Sequence, residues 1–176
     1  MSSKTILVLG PEGTGKSLLL KRIRQISLEG ENAAFNDIPS TVPTVGTNIL
    51  KAEFDQQTLE MREVGGVMAP IWKNYFKGIH GIVYVVDASN QFQVSASCML
   101  LLNLLANEKL SDVPFLLVFN KIDCTLNLSL ADMKFLFRLS DIKANATQKF
   151  DVIESSNMDV GKTRGIVNWM LKLEIL

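Results

Sequence analysis

A glycine-rich run near the start of the chain has residue types and spacing suited to binding phosphate. Residues 10–17, Gly-Pro-Glu-Gly-Thr-Gly-Lys-Ser, match the pattern G-x-x-x-x-G-K-[ST]. In this pattern the glycines let backbone N–H groups close around an anion, while Lys16 supplies a positive charge and the Ser17 hydroxyl can bind Mg²⁺. The run therefore predicts a nucleoside triphosphate site. Its predicted nucleotide-binding residues are Gly10, Glu12, Gly13, Thr14, Gly15, Lys16 and Ser17.

The residues on both sides of this run must position it. Residues 5–9 are an apolar run typical of a buried strand, and apolar side chains recur with helical periodicity from Leu18 to about Gly30. A helix that begins at the loop directs free backbone N–H groups toward a bound phosphate. Chance matches to the pattern occur in ordinary loops, but the flanking strand and helix favour the phosphate site.

Apolar strands alternate with helical segments along the rest of the chain. The predicted strands cover residues 47–54, 58–64, 81–87, 114–119 and 150–154, and the predicted helices cover about 71–77, 94–109, a segment that begins after Ser129, and 160–173. The first two of these strands are predicted to form an antiparallel hairpin, and residues 30–40 a long loop. The alternation predicts an α/β fold with a mostly parallel sheet, helices on both faces, and a ligand site at the carboxyl ends of the strands.

Length and composition limit the possible classes of function. The 176 residues fit one domain, and we predict a single domain over residues 1–176. The formal net charge is zero without a basic block, so no nucleic-acid partner is expected. Cys98 and Cys124 lack metal-ligand spacing and are predicted to be small buried thiols in a reducing compartment. His80 is predicted to be a structural or surface residue.

A motif directly after the strand at residues 114–119 can select a base. Asn120, Lys121 and Asp123 occupy the fixed positions of N-K-x-D. The Asp123 carboxylate can accept two N–H groups from the N1 and N2 edge of guanine, and the Lys121 stem can cover the base. Adenine would leave that carboxylate unpaired, which costs on the order of a few kcal/mol. With this motif the chain resembles the small GTPases.

Three further segments resemble the ADP-ribosylation-factor-like branch of that family. Residues 43–46, P-T-V-G, are similar to its switch I, and residues 63–66, E-V-G-G, to the start of its switch II. The number of residues between these two segments equals the length of the branch's long interswitch hairpin. Residues 70–87 are similar to the branch's segment that runs from switch II into the next strand. The resemblance implies the P-loop NTPase fold of small GTPases, with a six-stranded mostly parallel sheet. It also implies GTP or GDP as ligand and Mg²⁺ as cofactor.

The resemblance assigns roles to individual residues. Thr44 would bind Mg²⁺ and sense the γ-phosphate, and Gly66 would face the same phosphate. Residues 156–158 stand where the family has its S-A-K loop, whose backbone contacts the guanine oxygen. The implied nucleotide-binding set adds Thr44, Gly66, Asn120, Lys121, Asp123, Ser156, Asn157 and Met158, and the implied metal ligands are Ser17, Thr44 and Glu63.

Several positions depart from the pattern of the branch. Val67 stands where the family has the Gln that positions the attacking water, so we predict slow intrinsic hydrolysis and assign no catalytic residue. Glu63 replaces an Asp and is one methylene longer, which predicts an altered affinity for Mg²⁺. Thr47 and Arg62 replace two of three aromatic residues on the effector surface, where only Tyr75 remains. Switch II is also two residues shorter than in the branch.

The resemblance implies protein partners. Effectors would bind through switch I, switch II and the interswitch hairpin, and an exchange factor and a GAP are expected. The branch's N-terminal amphipathic helix and myristoylated glycine are missing, and residues 173–176 form no prenylation motif, so we expect no direct lipid anchor. The expected location is the cytoplasm, with recruitment to endomembranes or the cilium through partners.

Three functions fit these residues. The first is a GTP-dependent binding module that presents its switch segments to effectors. The second is an active GTP hydrolase whose missing groups are supplied in trans by a GAP or effector. The third is a P-loop nucleoside kinase, which would need a lid and a second-substrate site. The sequence has no recognisable signal for either.

Overall fold

The computed structural model describes residues 2–125 and 127–174 of the chain. Its centre is a six-stranded sheet that contains every strand expected from the sequence, although the strand expected over 114–119 covers Phe115–Asn120. The strands are β1 (Ser2–Leu9), β2 (Thr47–Phe54), β3 (Gln57–Val64), β4 (Gly81–Asp87), β5 (Phe115–Asn120) and β6 (Phe150–Glu154). Their order is β2-β3-β1-β4-β5-β6, and β2 runs antiparallel to β3 while the other neighbours are parallel. The predicted six-stranded, mostly parallel sheet is confirmed.

Helices cover both faces of the sheet, as the alternation of elements predicts. They are α1 (Lys16–Glu29), α2 (Val94–Leu105), α3 (Leu130–Leu136), α4 (Leu139–Asn145) and α5 (Val160–Leu171). Apolar side chains of α1 and α5 pack in one buried cluster with Ile6 and Val8 of β1. Those of α2, α3 and α4 pack in a second cluster with Leu7 and Leu9. Successive residues of β1 thus fill opposite faces of the sheet, which explains why the central strands are continuous apolar runs.

Three helical predictions differ from the structure. The predicted helix at 71–77 is a 3-10 helix over Gly66–Tyr75, with Pro70 inside it, whose ring nitrogen cannot donate a backbone hydrogen bond. The helix predicted over 94–109 ends at Leu105. The helix after Ser129 is capped by that side chain, which accepts from the Asp132 backbone N–H, but it breaks at Arg138, whose φ is 51°.

These elements bring three loops to one edge of the sheet. The phosphate loop follows β1, residues 121–125 follow β5, and residues 155–159 follow β6. Because parallel strands end at a common edge, the three loops meet there and form the walls of one site. Among the described residues, no helix is long and apolar enough to cross a membrane.

Candidate functional site

The phosphate loop has a backbone that only glycine can adopt at its tightest points. Gly10 has φ 143°, and a Cβ there would lie 2.1 Å from the carbonyl oxygen of Val85 on β4. Gly15 has φ 92°, and a Cβ there would lie 2.5 Å from the Asn120 side-chain nitrogen. The loop therefore fits directly against β4 and the base-recognition motif, which fixes its position before any ligand binds.

Lys16 is buried at the centre of the loop. Its ammonium group donates to the carbonyl oxygens of Gly10 at 2.9 Å and Pro11 at 2.7 Å, and the residue is 5 % exposed. Burial lowers the pKa of Lys16 to about 8, while the carboxylates of Glu63 and Glu12 act in the opposite direction. A buried cation held by loop carbonyls is suited to turn toward an anionic ligand.

Ser17, Thr44 and Glu63 come together beside Lys16 from three separate segments. Ser17 is in the first turn of α1, Thr44 lies between α1 and β2, and Glu63 is near the end of β3. The Ser17 and Thr44 hydroxyl oxygens are 2.9 Å apart, and they lie 2.5 and 2.9 Å from the Glu63 Oε1 atom. The structure thus brings together all three of the metal ligands expected from the sequence.

This oxygen cluster fits the chemistry of magnesium. Octahedral Mg²⁺ binds oxygen at about 2.1 Å, which places adjacent ligand atoms about 3 Å apart. No group of three or more His, Cys, Asp or Glu side chains suited to a metal occurs among residues 2–125 and 127–174. One carboxylate and two hydroxyls are the kind of partial set that Mg²⁺ uses when phosphates and water complete its shell.

The two switch segments pack closely against each other and against the phosphate loop. A Cβ at Gly65 would lie 2.1 Å from the Thr44 carbonyl oxygen, and one at Gly66 would lie 2.3 Å from the Glu12 backbone nitrogen. Gly65 donates its N–H to the Gly46 carbonyl at 2.9 Å. The buried Trp72 indole donates to the Gly65 carbonyl at 3.2 Å. A cavity of about 340 Å³ lies over the loop between these segments.

Lys121 links the base-recognition motif to the phosphate loop. Its ammonium group donates to the Gly13 carbonyl at 2.6 Å and to the Asp87 carboxylate at 2.6 Å. Asp87 ends β4 and also accepts from the Ser89 backbone and hydroxyl. The Lys121 stem is therefore held along the edge where a base would lie, in the left-handed conformation at φ 65°. Asp87 was not expected from the sequence, although its place at a strand end could have suggested it.

Two asparagine side chains, one from the end of β5 and one from the loop after β6, form the inner wall of the base end. Asn120 donates to the Thr14 carbonyl at 2.8 Å, and Asn157 donates to the Gly15 carbonyl at 2.9 Å. Both residues are buried, and the side-chain oxygens of both have no hydrogen-bond partner among the described residues. Buried polar atoms normally have partners, so two orphaned acceptors beside one loop indicate a place for a ligand with hydrogen-bond donors.

The segment after β6 contributes more than residues 156–158. Ser155 is fully buried, its N–H donates to the Phe119 carbonyl at 2.8 Å, and its hydroxyl also lacks a partner among the described residues. Ser156 and Asn157 are buried beside it, whereas Met158 is 37 % exposed. Sequence reasoning missed Ser155, although its position directly after a strand end was a usable signal. Asp123 is exposed at the outer end of the same site.

Of the residues that depart from the branch's pattern, Val67 and Thr47 lie on the surface, whereas Glu63 is buried. Val67 is 57 % exposed at the start of the 3-10 helix. Thr47 is exposed on β2, Arg62 is paired with Glu60 at 2.8 Å, and Tyr75 is half-buried. These positions surround the switch segments.

Cys98 and His80 lie outside this site, whereas Cys124 lies next to Asp123. Cys98 is half-buried, but Cys124 is exposed beside Asp123, so the prediction of buried thiols is wrong for Cys124. It follows the recognition motif in a loop, and loops run over the surface. His80 accepts a hydrogen bond from the Thr5 backbone at 3.0 Å, which gives it the structural role expected for it.

Comparison with known proteins gives a consistent result. The model of the ADP-ribosylation factor family matches residues 2–173. The chain is 40 % identical over 164 residues to ADP-ribosylation factor-like protein 16 of Homo sapiens, which covers 93 % of this chain and 83 % of that protein. It is 30 % identical over 169 residues to ADP-ribosylation factor-like protein 3 of Chlamydomonas reinhardtii, covering 95 % and 88 %. A match over nearly the whole chain argues against the nucleoside-kinase alternative.

A solved structure shows the same fold. The Arl6 BBS3 small GTPase from Trypanosoma brucei, determined with the bound nucleotide analogue GppNp, superposes with a TM-score of 0.80. The match covers 97 % of this chain and 96 % of that chain at 17 % identity. The fold expected from the sequence, that of the small GTPases, is confirmed.

Proposed function

Because the chain belongs to the ADP-ribosylation factor family of small GTPases, we propose that it is a molecular switch that binds guanine nucleotides and holds GTP. The observation that carries this proposal is the convergence of both switch segments on the phosphate loop. Thr44 meets Ser17 at 2.9 Å, and Gly66 lies against Glu12. A γ-phosphate bound in the loop would touch both segments, so its loss would release them.

Different groups of side chains bind the phosphates, the metal and the base of the nucleotide. Lys16 and backbone N–H groups of residues 12–17 bind the phosphates, and Ser17, Thr44 and Glu63 provide oxygen ligands for Mg²⁺. The metal, when bound, neutralises charge on the outer phosphates. Asp123 accepts the N–H groups of guanine, while residues 155–157 and Asn120 hold its inner side. GDP would occupy the same site without the contact to Thr44 and Gly66.

Slow hydrolysis follows from the residue at position 67. Phosphoryl transfer to water depends on positioning and on stabilisation of charge, and a valine side chain cannot hydrogen-bond to water. Its 57 % exposure also places an apolar surface at the mouth of the site. The protein therefore remains in the GTP state unless a partner supplies the missing group, which is the role expected of a GAP.

The switch segments are the surface for partners. Five exposed aliphatic side chains lie on or near them, at Val42, Val45, Ile49, Val67 and Ile71, with Val45 87 % exposed. Five exposed apolar side chains within two short stretches of sequence favour protein binding. Effectors and an exchange factor would meet this aliphatic surface in place of the aromatic one, and they would recruit the protein from the cytoplasm to endomembranes or the cilium.

Single-turnover hydrolysis of GTP in the presence of Mg²⁺ tests this function. We expect wild-type turnover to be slow, and Val67→Gln to accelerate it on the order of tenfold because glutamine can orient water. Val67→Leu is the matched control and should stay as slow as wild type. If the wild-type protein alone hydrolyses GTP at the rate of relatives that carry the glutamine, the protein is an active hydrolase and the proposal is wrong.

A further inference from the structure

One face of α1 holds the loop that leads from α1 to switch I. Lys21 donates to the Ser40 carbonyl at 2.6 Å, and Gln25 donates to the Ala34 carbonyl at 2.9 Å. Arg22, between them in sequence, donates through Nη2 to the Asp37 carbonyl. The backbone of residues 33–40 is thus attached to the helix by side chains at three points, only a few residues before Thr44.

Arg22 differs from its two neighbours because it also reaches the base end of the site. Its Nε atom donates to the Asn157 carbonyl at 3.1 Å, and Nη2 lies 3.9 Å from the Met158 sulfur. Its guanidinium carbon lies 4.3 Å above the ring of Phe35. The residue is 1 % exposed. Among the described contacts of Lys21 and Gln25, none reaches residues 155–158.

The contact with Asn157 connects Arg22 to the base pocket itself. Asn157 donates its side-chain N–H to Gly15 and has an orphaned oxygen, so a bound base would settle its position. Its carbonyl is then fixed relative to Nε of Arg22. Because the guanidinium group is planar and its donors have fixed directions, a shift of the acceptor at Nε also shifts the position of Nη2 and of the face of the plane. The Nη2 edge of that plane bonds the Asp37 carbonyl, and one face of it lies over the Phe35 ring.

We propose that Arg22 is a positioning residue that couples occupancy of the guanine pocket to the order of residues 33–40. A bound base fixes Asn157, Asn157 fixes the guanidinium, and the guanidinium fixes the loop before switch I. The inference rests on the proposed function, since it requires a guanine nucleotide at residues 120–123 and 155–158. This coupling connects the base pocket to the loop before switch I without involving the γ-phosphate.

Hydrogen exchange of residues 33–40 tests the coupling, with GDP and with inorganic pyrophosphate as probes. Pyrophosphate fills the phosphate loop but leaves the base pocket empty. In wild type, GDP should slow exchange at 33–40 on the order of tenfold, and pyrophosphate should not. Arg22→Met and Arg22→Lys should abolish this GDP-dependent slowing while exchange at residues 10–17 is still slowed. Arg22→Lys keeps the positive charge and the aliphatic chain, so it tests the loss of the guanidinium even if Arg22→Met fails to fold.

Lys21→Met is the matched control, whereas Gln25 is unsuitable because its Oε1 atom accepts from Nη1 of Arg22 at 3.0 Å. Lys21→Met removes one attachment of the same loop, so exchange at 33–40 should become faster overall, yet GDP should still slow it. The inference is overturned if GDP protects 33–40 equally in the Arg22 variants, if pyrophosphate protects it as well as GDP does, or if Lys21→Met loses the GDP effect too. If GDP fails to protect residues 10–17 in wild type, the proposed function itself is wrong.

Discussion

The phosphate half and the base half of the site differ in how their polar groups are satisfied. In the phosphate half, Lys16 is bonded to loop carbonyls, and Ser17, Thr44 and Glu63 are bonded to one another. In the base half, the side-chain oxygens of Asn120, Ser155 and Asn157 are buried without a partner among the described residues. One half closes on itself, and the other is open to a ligand.

This difference indicates how binding is divided. A nucleotide must displace internal bonds of the phosphate half, so the gain there depends on charge and on Mg²⁺. In the base half it satisfies groups that otherwise cost free energy, so the gain depends on which donors the base presents. The phosphate half should therefore determine the affinity for the nucleotide and the pH dependence of that affinity. The base half should determine which base is bound. Two predictions can break this division.

Asp123→Ala has the larger expected effect, and it should act on the base half alone. Removing the carboxylate takes away the partner for the guanine N–H groups, so the preference for GTP over ATP should fall on the order of 100-fold or more. Equilibrium binding of GTP, ATP and pyrophosphate measures this. Cys124→Ser, at the exposed neighbouring position, should keep the preference. An equal loss for GTP, ATP and pyrophosphate in Asp123→Ala would show that the two halves are not separate.

The smaller effect is a pH dependence that belongs to the phosphate half. The pKa of Lys16 is lowered to about 8 by burial, and the triphosphate is bound best by the charged lysine. Below pH 8 the free protein already carries this proton, so affinity for GTP should be level. Above pH 8 binding must take up a proton, so affinity should fall by up to about tenfold per pH unit.

Titration of GTP binding between pH 6.5 and 9 measures this slope. Asp123→Ala should bind more weakly and keep the same slope, because its change lies in the other half. Lys16→Arg should lose the slope, since guanidinium stays protonated throughout this range. A wild-type affinity that is level up to pH 9 would contradict the role given to the Lys16 proton.

Sequence alone predicts what depends on short, contiguous patterns. The G-x-x-x-x-G-K-[ST] run, its flanking strand and helix, and the positions of the strands along the chain follow from local spacing and periodicity. The family resemblance suggested Thr44 and Glu63 as candidate metal ligands, and the structure places their oxygen atoms within 2.9 Å of Ser17 and of each other.

What sequence missed depends on contacts between distant segments. Ser155 has no motif of its own, and only its burial and its orphaned hydroxyl make it part of the base wall. Arg22 looks like an ordinary charged residue in a helix, yet it is buried through partners 135 and 15 positions away. The left-handed backbone at Arg138 that separates α3 from α4 also has no sequence signal, whereas the 3-10 form of Gly66–Tyr75 has a local cause in Pro70.

The nucleotide that stays bound to the purified protein tests the central claim most directly. The protein should be purified with Mg²⁺, denatured, and its released nucleotide separated by anion-exchange chromatography. We predict GTP, because Asp123 selects guanine and Val67 leaves hydrolysis slow. Retained GDP would show that the protein hydrolyses GTP unaided and would contradict the claim that it holds GTP. Retained ATP, or no nucleotide, would contradict the guanine site itself.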